Sequence, residues 1–349
     1  MKTLICKSPG HFEYTTNATP QEKPGHAILK VRKIGICGTD IHAFEGTQPY
    51  FSYPRILGHE LAAEIVEVSD EQQQRIVTQN EGAQMKQGDL VTIIPYFNCG
   101  QCNACMSGKP NCCVALQVFG VHIDGGMQEH ISVPSYSLVP SHGLDEDALA
   151  LVEPLSVGAH AVGRAGVRAN EYVLVIGAGP IGLGTMEFAR IAGGHVIALD
   201  INQARLDFCR DRLHIAHTIN ARSENVMDRL KEITNGTMPT VVMDATGSLP
   251  AINTGFSYMA HGGRYVLVGL QKEMVSFSHP EFHKREATLM SSRNATRADF
   301  EFVRSCLIRK LIDPRTYITH RVSFDNLAGE FPSFLNPANG VIKAMVAMG

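Results

Sequence analysis

Apolar positions follow two rhythms along the chain. Through residue 68 they come in short runs rich in Val and Ile, at residues 4–7, 27–34 and 61–68, separated by Pro and Gly, which predicts short strands and a β-rich first half. Residues 69–87, with the polar run Asp70-Glu71-Gln72-Gln73-Gln74, carry little periodic signal and read as a surface excursion. Gly88-Asp89 predicts a turn, and Leu90-Val91-Thr92-Ile93-Ile94-Pro95 a buried strand that delivers the chain to Cys99. A Gly125-Gly126 turn returns the chain to strand, and residues 145–152 look helical. Pro154 then opens another helix, at the position where its missing N–H costs little.

From about Leu155 strand and helix alternate: strands over 172–176, 195–200, 241–245 and 263–268, helices over 180–192, 203–213 and 250–259. Alternation of this kind predicts right-handed βαβ units and a parallel sheet with helices on both faces. It stops near Arg293, and the tail is expected to hold a helix around 299–311 and a last strand around 341–346 that pack back on the first domain. The expected class is α/β, divided at residues 1–154, 155–292 and 293–349.

Charge narrows the partners. A formal net charge of −3 spread over 349 residues leaves no basic footprint for nucleic acid and no polybasic membrane anchor, so the expected partner is a small molecule. No apolar signal core follows Met1 and no apolar run reaches about 20 residues, which predicts a soluble, cytoplasmic protein. The 9 cysteines are an odd number, and their clustering from Cys99 to Cys113 favours metal over disulfides.

Two clusters carry metal-site chemistry. Cys99, Cys102, Cys105 and Cys113 form C-x2-C-x2-C-x7-C, four soft ligands suited to a closed tetrahedral structural zinc, with Cys112 as a second candidate for the last ligand. Upstream, Cys37-Gly38-Thr39-Asp40-Ile41-His42 and Gly58-His59-Glu60 bring a thiol, a hydroxyl, imidazoles and carboxylates into one short stretch, which is what a catalytic Zn²⁺ with a proton path beside it requires.

Gly177-Ala178-Gly179-Pro180-Ile181-Gly182 is G-x-G-x-x-G directly after the apolar run 172–176 and before an apolar helix, the context of a dinucleotide site. Gly177 makes the tight turn, Gly179 lets backbone approach a pyrophosphate at the helix N-terminus, and Gly182 allows close packing. Asp200 stands where the residue accepting from the adenosine ribose is expected, and an acid there repels a 2′-phosphate, so NAD is favoured over NADP. Arg205, close by in sequence, is the residue that leaves NADP open.

These motifs, with Glu153-Pro154, occur in the order of the zinc-containing medium-chain alcohol dehydrogenases, which the sequence resembles along almost its whole length. Within that family it is most similar to the polyol, threonine and sugar-acid dehydrogenases, whose third metal position is an acid. The resemblance implies a GroES-like β-rich catalytic domain joined to a Rossmann doubly wound domain. It implies Cys37, His59 and Glu153 around the catalytic zinc, with Glu60 as a neighbouring group or exchangeable ligand, and Asp40 orienting His59.

It further implies NAD-linked oxidation of a secondary hydroxyl on a polyhydroxy substrate. Zinc lowers the hydroxyl pKa, hydride passes to the nicotinamide, and Thr39 hands the proton by way of the nicotinamide ribose to His42. The expected substrate is a sugar acid oxidised to a 5-keto acid; a polyol or threonine is the alternative, and a non-catalytic NAD-binding protein is the alternative of another class. Arg293 is the expected substrate contact, with His122, Lys284 and Gln48 as lesser candidates. Lys343 is expected at the cofactor phosphates or on a solvated strand end. Relatives self-associate through the last strands of the nucleotide domain, so residues 266–277 are expected to support a dimer or tetramer.

Overall fold

The computed structural model describes residues 1–48, 51–68 and 85–349, so most of the expected excursion at 69–87 lies outside the described residues. Two compact units emerge, Met1–Glu153 with Thr296–Gly349, and Pro154–Ala295.

The first unit is built on a seven-stranded sheet whose centre is His26–Gly35. This strand pairs antiparallel with Glu60–Glu67 and His130–Pro134, and through its last residues with Lys343–Ala347. Its apolar residues Leu29, Val31 and Ile34 are fully buried, as are Leu61, Ala63 and Ile65 across the ladder. The chain therefore returns from the tail to lie beside the strand that feeds Cys37: Met345 stands opposite Gly35, and the Ile36 N–H donates to the Ala344 carbonyl at 3.0 Å. A two-stranded ladder, Tyr96–Phe97 with Gln117–Val118, closes the base of the four-cysteine loop.

The second unit is a six-stranded sheet, all parallel, in the order His217–Asn220, His195–Asp200, Tyr172–Ile176, Val241–Asp244, Arg264–Leu267, Thr288–Ser291. It is the doubly wound arrangement, and the strand order reverses between Tyr172–Ile176 and Val241–Asp244, where such sheets bind ligands at their carboxyl ends. The central strands read as unbroken apolar runs because both faces are covered. Two strands escape the apolar pattern: His217–Asn220 and Thr288–Ser291 lie at the edges, where polar residues are tolerated. Among the described residues no helix is long and apolar enough to cross a membrane.

Candidate metal centres and dinucleotide site

Cys37 is the N-cap of the helix Gly38–Glu45, and Asp40 in that helix's first turn organises its surroundings. Asp40 is fully buried; its Oδ2 accepts from the Cys37 N–H at 2.9 Å and its Oδ1 from the Gly58 N–H at 3.1 Å. One carboxylate thus ties the Cys37 turn to the Gly58-His59-Glu60 turn and lies 4.0 Å from His59 Nδ1. Burial pushes the Asp40 carboxyl up, and His59 and the two N–H donors work against that.

The donor atoms of Cys37, His59 and Glu60 lie within 4.8 Å of one another. Glu60 is reached because residue 35 is glycine: a Cβ there would lie 2.1 Å from Glu60 Oε2. The Lys343 ammonium donates to both Glu60 oxygens, each at 2.6 Å, and to the Ile36 carbonyl at 3.1 Å, so its three donors have three acceptors. Burial alone would lower Lys343, but Glu60, with Cys37 and Glu153, carries it above its ordinary value. This corrects one expectation for Lys343: the residue is 2 % exposed and not on a solvated strand end, and its ammonium is engaged by Glu60. Pairing of the last strand beside Gly35 and Ile36 carries it to Glu60 instead.

Glu153 is also buried, in the first turn of the helix Val152–Ala165, and its Oε1 accepts from the Tyr96 hydroxyl. It stands outside the tight three-residue group, yet near enough for its charge to act on His59. Burial pulls His59 down, but Cys37, Asp40 and Glu153 together draw it well above its ordinary value. The acids Asp40, Glu60 and Glu153 and the thiol of Cys37 together outnumber the one cation of Lys343, and a divalent ion offsets the excess. His59 turns Nδ1 towards Asp40, and an ion about 2.0–2.3 Å from each donor would draw Cys37, His59 and Glu60 together. The donor set therefore fits zinc.

The sulfurs of Cys99, Cys102, Cys105 and Cys113 form the second group, again within 4.8 Å of one another, while Cys112 is exposed. Backbone N–H groups face these sulfurs: Cys113 Sγ accepts from Cys99 at 3.3 Å and from Ala115 at 3.4 Å. Those of Cys105 and Val114 push the Cys102 thiol down to about 6. Four sulfurs this close together on one loop, with backbone N–H groups turned to them, fit a structural zinc.

Thr39 is half-buried in the first turn of its helix, and His42 is exposed three residues on, its Nδ1 3.1 Å from Thr47 Oγ1. Arg293 is exposed between the strand Thr288–Ser291 and the helix Arg297–Ile308. The lesser substrate candidates separate: His122 Nδ1 accepts from the Val118 N–H at 3.0 Å, holding its own turn, and Lys284 is exposed beside Glu281.

In the second unit Gly177 has φ +99°, and its N–H donates to the Leu199 carbonyl at 2.7 Å. A Cβ on Gly182 would fall 1.8 Å from the Gly177 oxygen, so only glycine lets helix and turn meet. Gly179 caps the helix Pro180–Ile191, with Pro180 and Ile181 in its first turn and N–H groups opening at the switch point of the sheet. Asp200 closes the neighbouring strand, accepting from the Ala178 N–H at 2.6 Å and the Asn202 N–H at 2.8 Å. Arg205 lies half-buried in the helix Gln203–Leu213, close enough for Asp200 to act on its charge. This loop fits a dinucleotide.

Sequence reasoning passed over Tyr96 and misplaced Lys343. A Tyr in a buried strand run needs an acceptor, and a Lys flanked by apolar strand residues needs an acid; both signals were present.

Comparison with known proteins agrees with this geometry. The alcohol dehydrogenase GroES-like domain matches residues 23–143, and the zinc-binding dehydrogenase domain matches residues 180–308. The chain is 40 % identical over 346 residues to L-galactonate-5-dehydrogenase of Escherichia coli, covering 99 % of this chain and 98 % of that one. It is 31 % identical to a sorbitol dehydrogenase of Halalkalibacterium halodurans, covering 92 % of each. A structure titled as the short chain alcohol dehydrogenase RspB of Escherichia coli, complexed with NADH, superposes with a TM-score of 0.90 at 28 % identity over 99 % of both chains. The chain belongs to the zinc-containing medium-chain alcohol dehydrogenases and is a zinc-binding dehydrogenase of the alcohol and polyol type.

Proposed function

We propose that the protein oxidises a secondary hydroxyl of a sugar acid, an L-galactonate-like aldonate giving a 5-keto acid, with NAD as hydride acceptor. The observation that carries the substrate class is the 40 % identity to L-galactonate-5-dehydrogenase over nearly the full length of both chains. Cys37 and His59 hold the catalytic zinc, with Glu60 and Glu153 as the two acids beside it, and Cys99, Cys102, Cys105 and Cys113 hold the structural zinc. Bound there, zinc lowers the pKa of a substrate hydroxyl and NAD takes up the hydride. Thr39 accepts the hydroxyl proton, and exposed His42 releases it to water. Arg293 meets the substrate carboxylate, for which a planar guanidinium suits bidentate capture.

Gly177, Gly179, Pro180, Ile181 and Gly182 hold the pyrophosphate of NAD, Asp200 takes the adenosine ribose and repels a 2′-phosphate, and Arg205 lies beside it. The exposed residues Leu270, Met274, Phe277 and Leu289, at and beside the sheet edge formed by Thr288–Ser291, support assembly into a dimer or tetramer of this chain. The working compartment is the cytoplasm, where thiols stay reduced.

The experiment is NADH formation at 340 nm across aldonates, polyols and threonine, with NADP as the competing acceptor. L-galactonate turned over best identifies the sugar acid; sorbitol turned over best supports the polyol reading, which the 31 % identity to a sorbitol dehydrogenase favours. NADP turnover equal to NAD turnover would overturn the role of Asp200.

A further inference from the structure

The two buried acids of the catalytic site are held by different chemistry. Glu60 has both oxygens on the Lys343 ammonium, whereas Glu153 has Oε1 on a neutral hydroxyl, that of Tyr96. A carboxylate gripped by an ammonium is largely compensated by it. One held by a neutral donor has no cation of its own and turns to whatever cation lies near. Glu153 is 4 % exposed, and burial pushes its carboxyl up, while His59, the Tyr96 hydroxyl and Lys343 work against that.

Tyr96 is built to hold still. It pairs with Val118, and Phe97 after it with Gln117, in the short ladder at the base of the four-cysteine loop, and the two residues before it are tied down as well. The Ile94 N–H donates to the Ser137 carbonyl at 2.8 Å, and the Phe119 N–H to the Pro95 carbonyl at 2.9 Å. Three residues on, the Cys99 N–H reaches Cys113 Sγ, so closing the loop fixes both ends of the ladder. The ring packs edge-on against Phe300, centroids 6.3 Å apart, and is 7 % exposed. A rigid ring leaves its hydroxyl almost no freedom except rotation of the O–H, and that bond goes to Glu153.

We infer that Tyr96 is a positioning residue for the catalytic metal site: its hydroxyl fixes Glu153 beside the Cys37, His59 and Glu60 donors with the carboxylate charge available to the ion. The inference rests on the reading that these donors hold a metal. Tyr96 acts through Glu153, the group its hydroxyl meets.

The test uses full-length, zinc-loaded wild type, Tyr96→Phe, Glu153→Ala and the double variant. Zinc release to a chromogenic chelator is followed for each site, and the visible spectrum is recorded after cobalt replaces the catalytic ion. The Phe variant keeps the ring against Phe300 and loses only the donor; Tyr96→Met serves if it does not accumulate. Expected is release of one of two ions about 10–100-fold faster in Tyr96→Phe, the other unchanged, with an altered cobalt spectrum. In the Glu153→Ala background the Tyr96 change should add nothing. Release within about twofold of wild type with an unchanged cobalt spectrum would overturn the inference. So would both ions leaving faster together, or an equal effect without Glu153, since either marks a role in folding the loop. Wild type that binds a single ion per chain would remove the catalytic-metal reading itself, and the inference with it.

Discussion

Replacing Lys343 with Met keeps most of the side-chain volume and removes the charge, so it isolates the ammonium held by Glu60 and Ile36. The pair is closed to water, with Lys343 2 % and Glu60 0 % exposed. Removing one partner of a buried pair costs about 3–5 kcal/mol, because the remaining charge is stranded. A divalent ion beside Glu60 compensates part of it, which places the zinc-loaded variant near the lower end, about 3 kcal/mol or about a hundredfold in the unfolding constant. Urea unfolding read by hydrogen exchange in the strand His26–Gly35 follows the first unit by itself. Glu60→Gln should cost a similar amount, and the double variant should recover about 2 kcal/mol of the summed loss. The pair raises Lys343 above its ordinary value, so its stabilisation is complete below that value and is lost only as pH rises through the higher folded one. The difference between Lys343→Met and wild type should therefore stay constant across neutral pH. The opposite pattern is equally specific. Stability within about 1 kcal/mol of wild type, with NAD affinity weakened about 10–100-fold, is what loss of a charged phosphate contact gives, and it would refute the pairing.

Gly182→Ala places a methyl against the Gly177 oxygen and should raise the NAD dissociation constant more than about tenfold by calorimetry, with zinc content unchanged. Cys113→Ser should lose one zinc per chain by elemental analysis, and Cys112→Ser none. Thr39→Val and His42→Gln should each lower kcat by about 10²-fold with metal retained; full turnover in both would remove the proton path. In the second unit burial pushes Glu171 up, but Arg264 at 2.7 Å, the Arg168 N–H and Thr240 outweigh it and leave the carboxyl below its ordinary value. That stabilisation is present above the ordinary value and is lost as pH falls through the lower folded one. Glu171→Gln should therefore cost about 1–2 kcal/mol at pH 7, and its difference from wild type should shrink steadily as the pH is lowered below the ordinary carboxyl range, measured by urea unfolding across an acid pH series.

What could be read from the sequence divides along a physical line. Features governed by short-range spacing were legible: the unbroken apolar strands of the parallel sheet, the glycine turn at Gly177, the C-x2-C-x2-C-x7-C loop and the Cys37 and His59 pair all depend on residues within one short stretch of chain. The edge strands His217–Asn220 and Thr288–Ser291 were not, because a strand with one neighbour need not be apolar throughout. The partners of buried polar groups were not legible either, since strand pairing across hundreds of positions decides them. Glu60 and Lys343 are 283 residues apart in sequence, and Tyr96 and Glu153 57 apart. Yet each member carried a warning: an ionisable or hydroxyl group set among apolar residues of a strand or helix must find a partner or pay a desolvation penalty of several kcal/mol. Two acids and two donors left over in one β-rich unit had few ways to pair. The chain pairs charge with charge at Lys343 and Glu60, and hydroxyl with carboxylate at Tyr96 and Glu153. That choice leaves negative charge in excess around His59, at Cys37, Asp40 and Glu153, so the same pairing that completes the core also favours a divalent cation there.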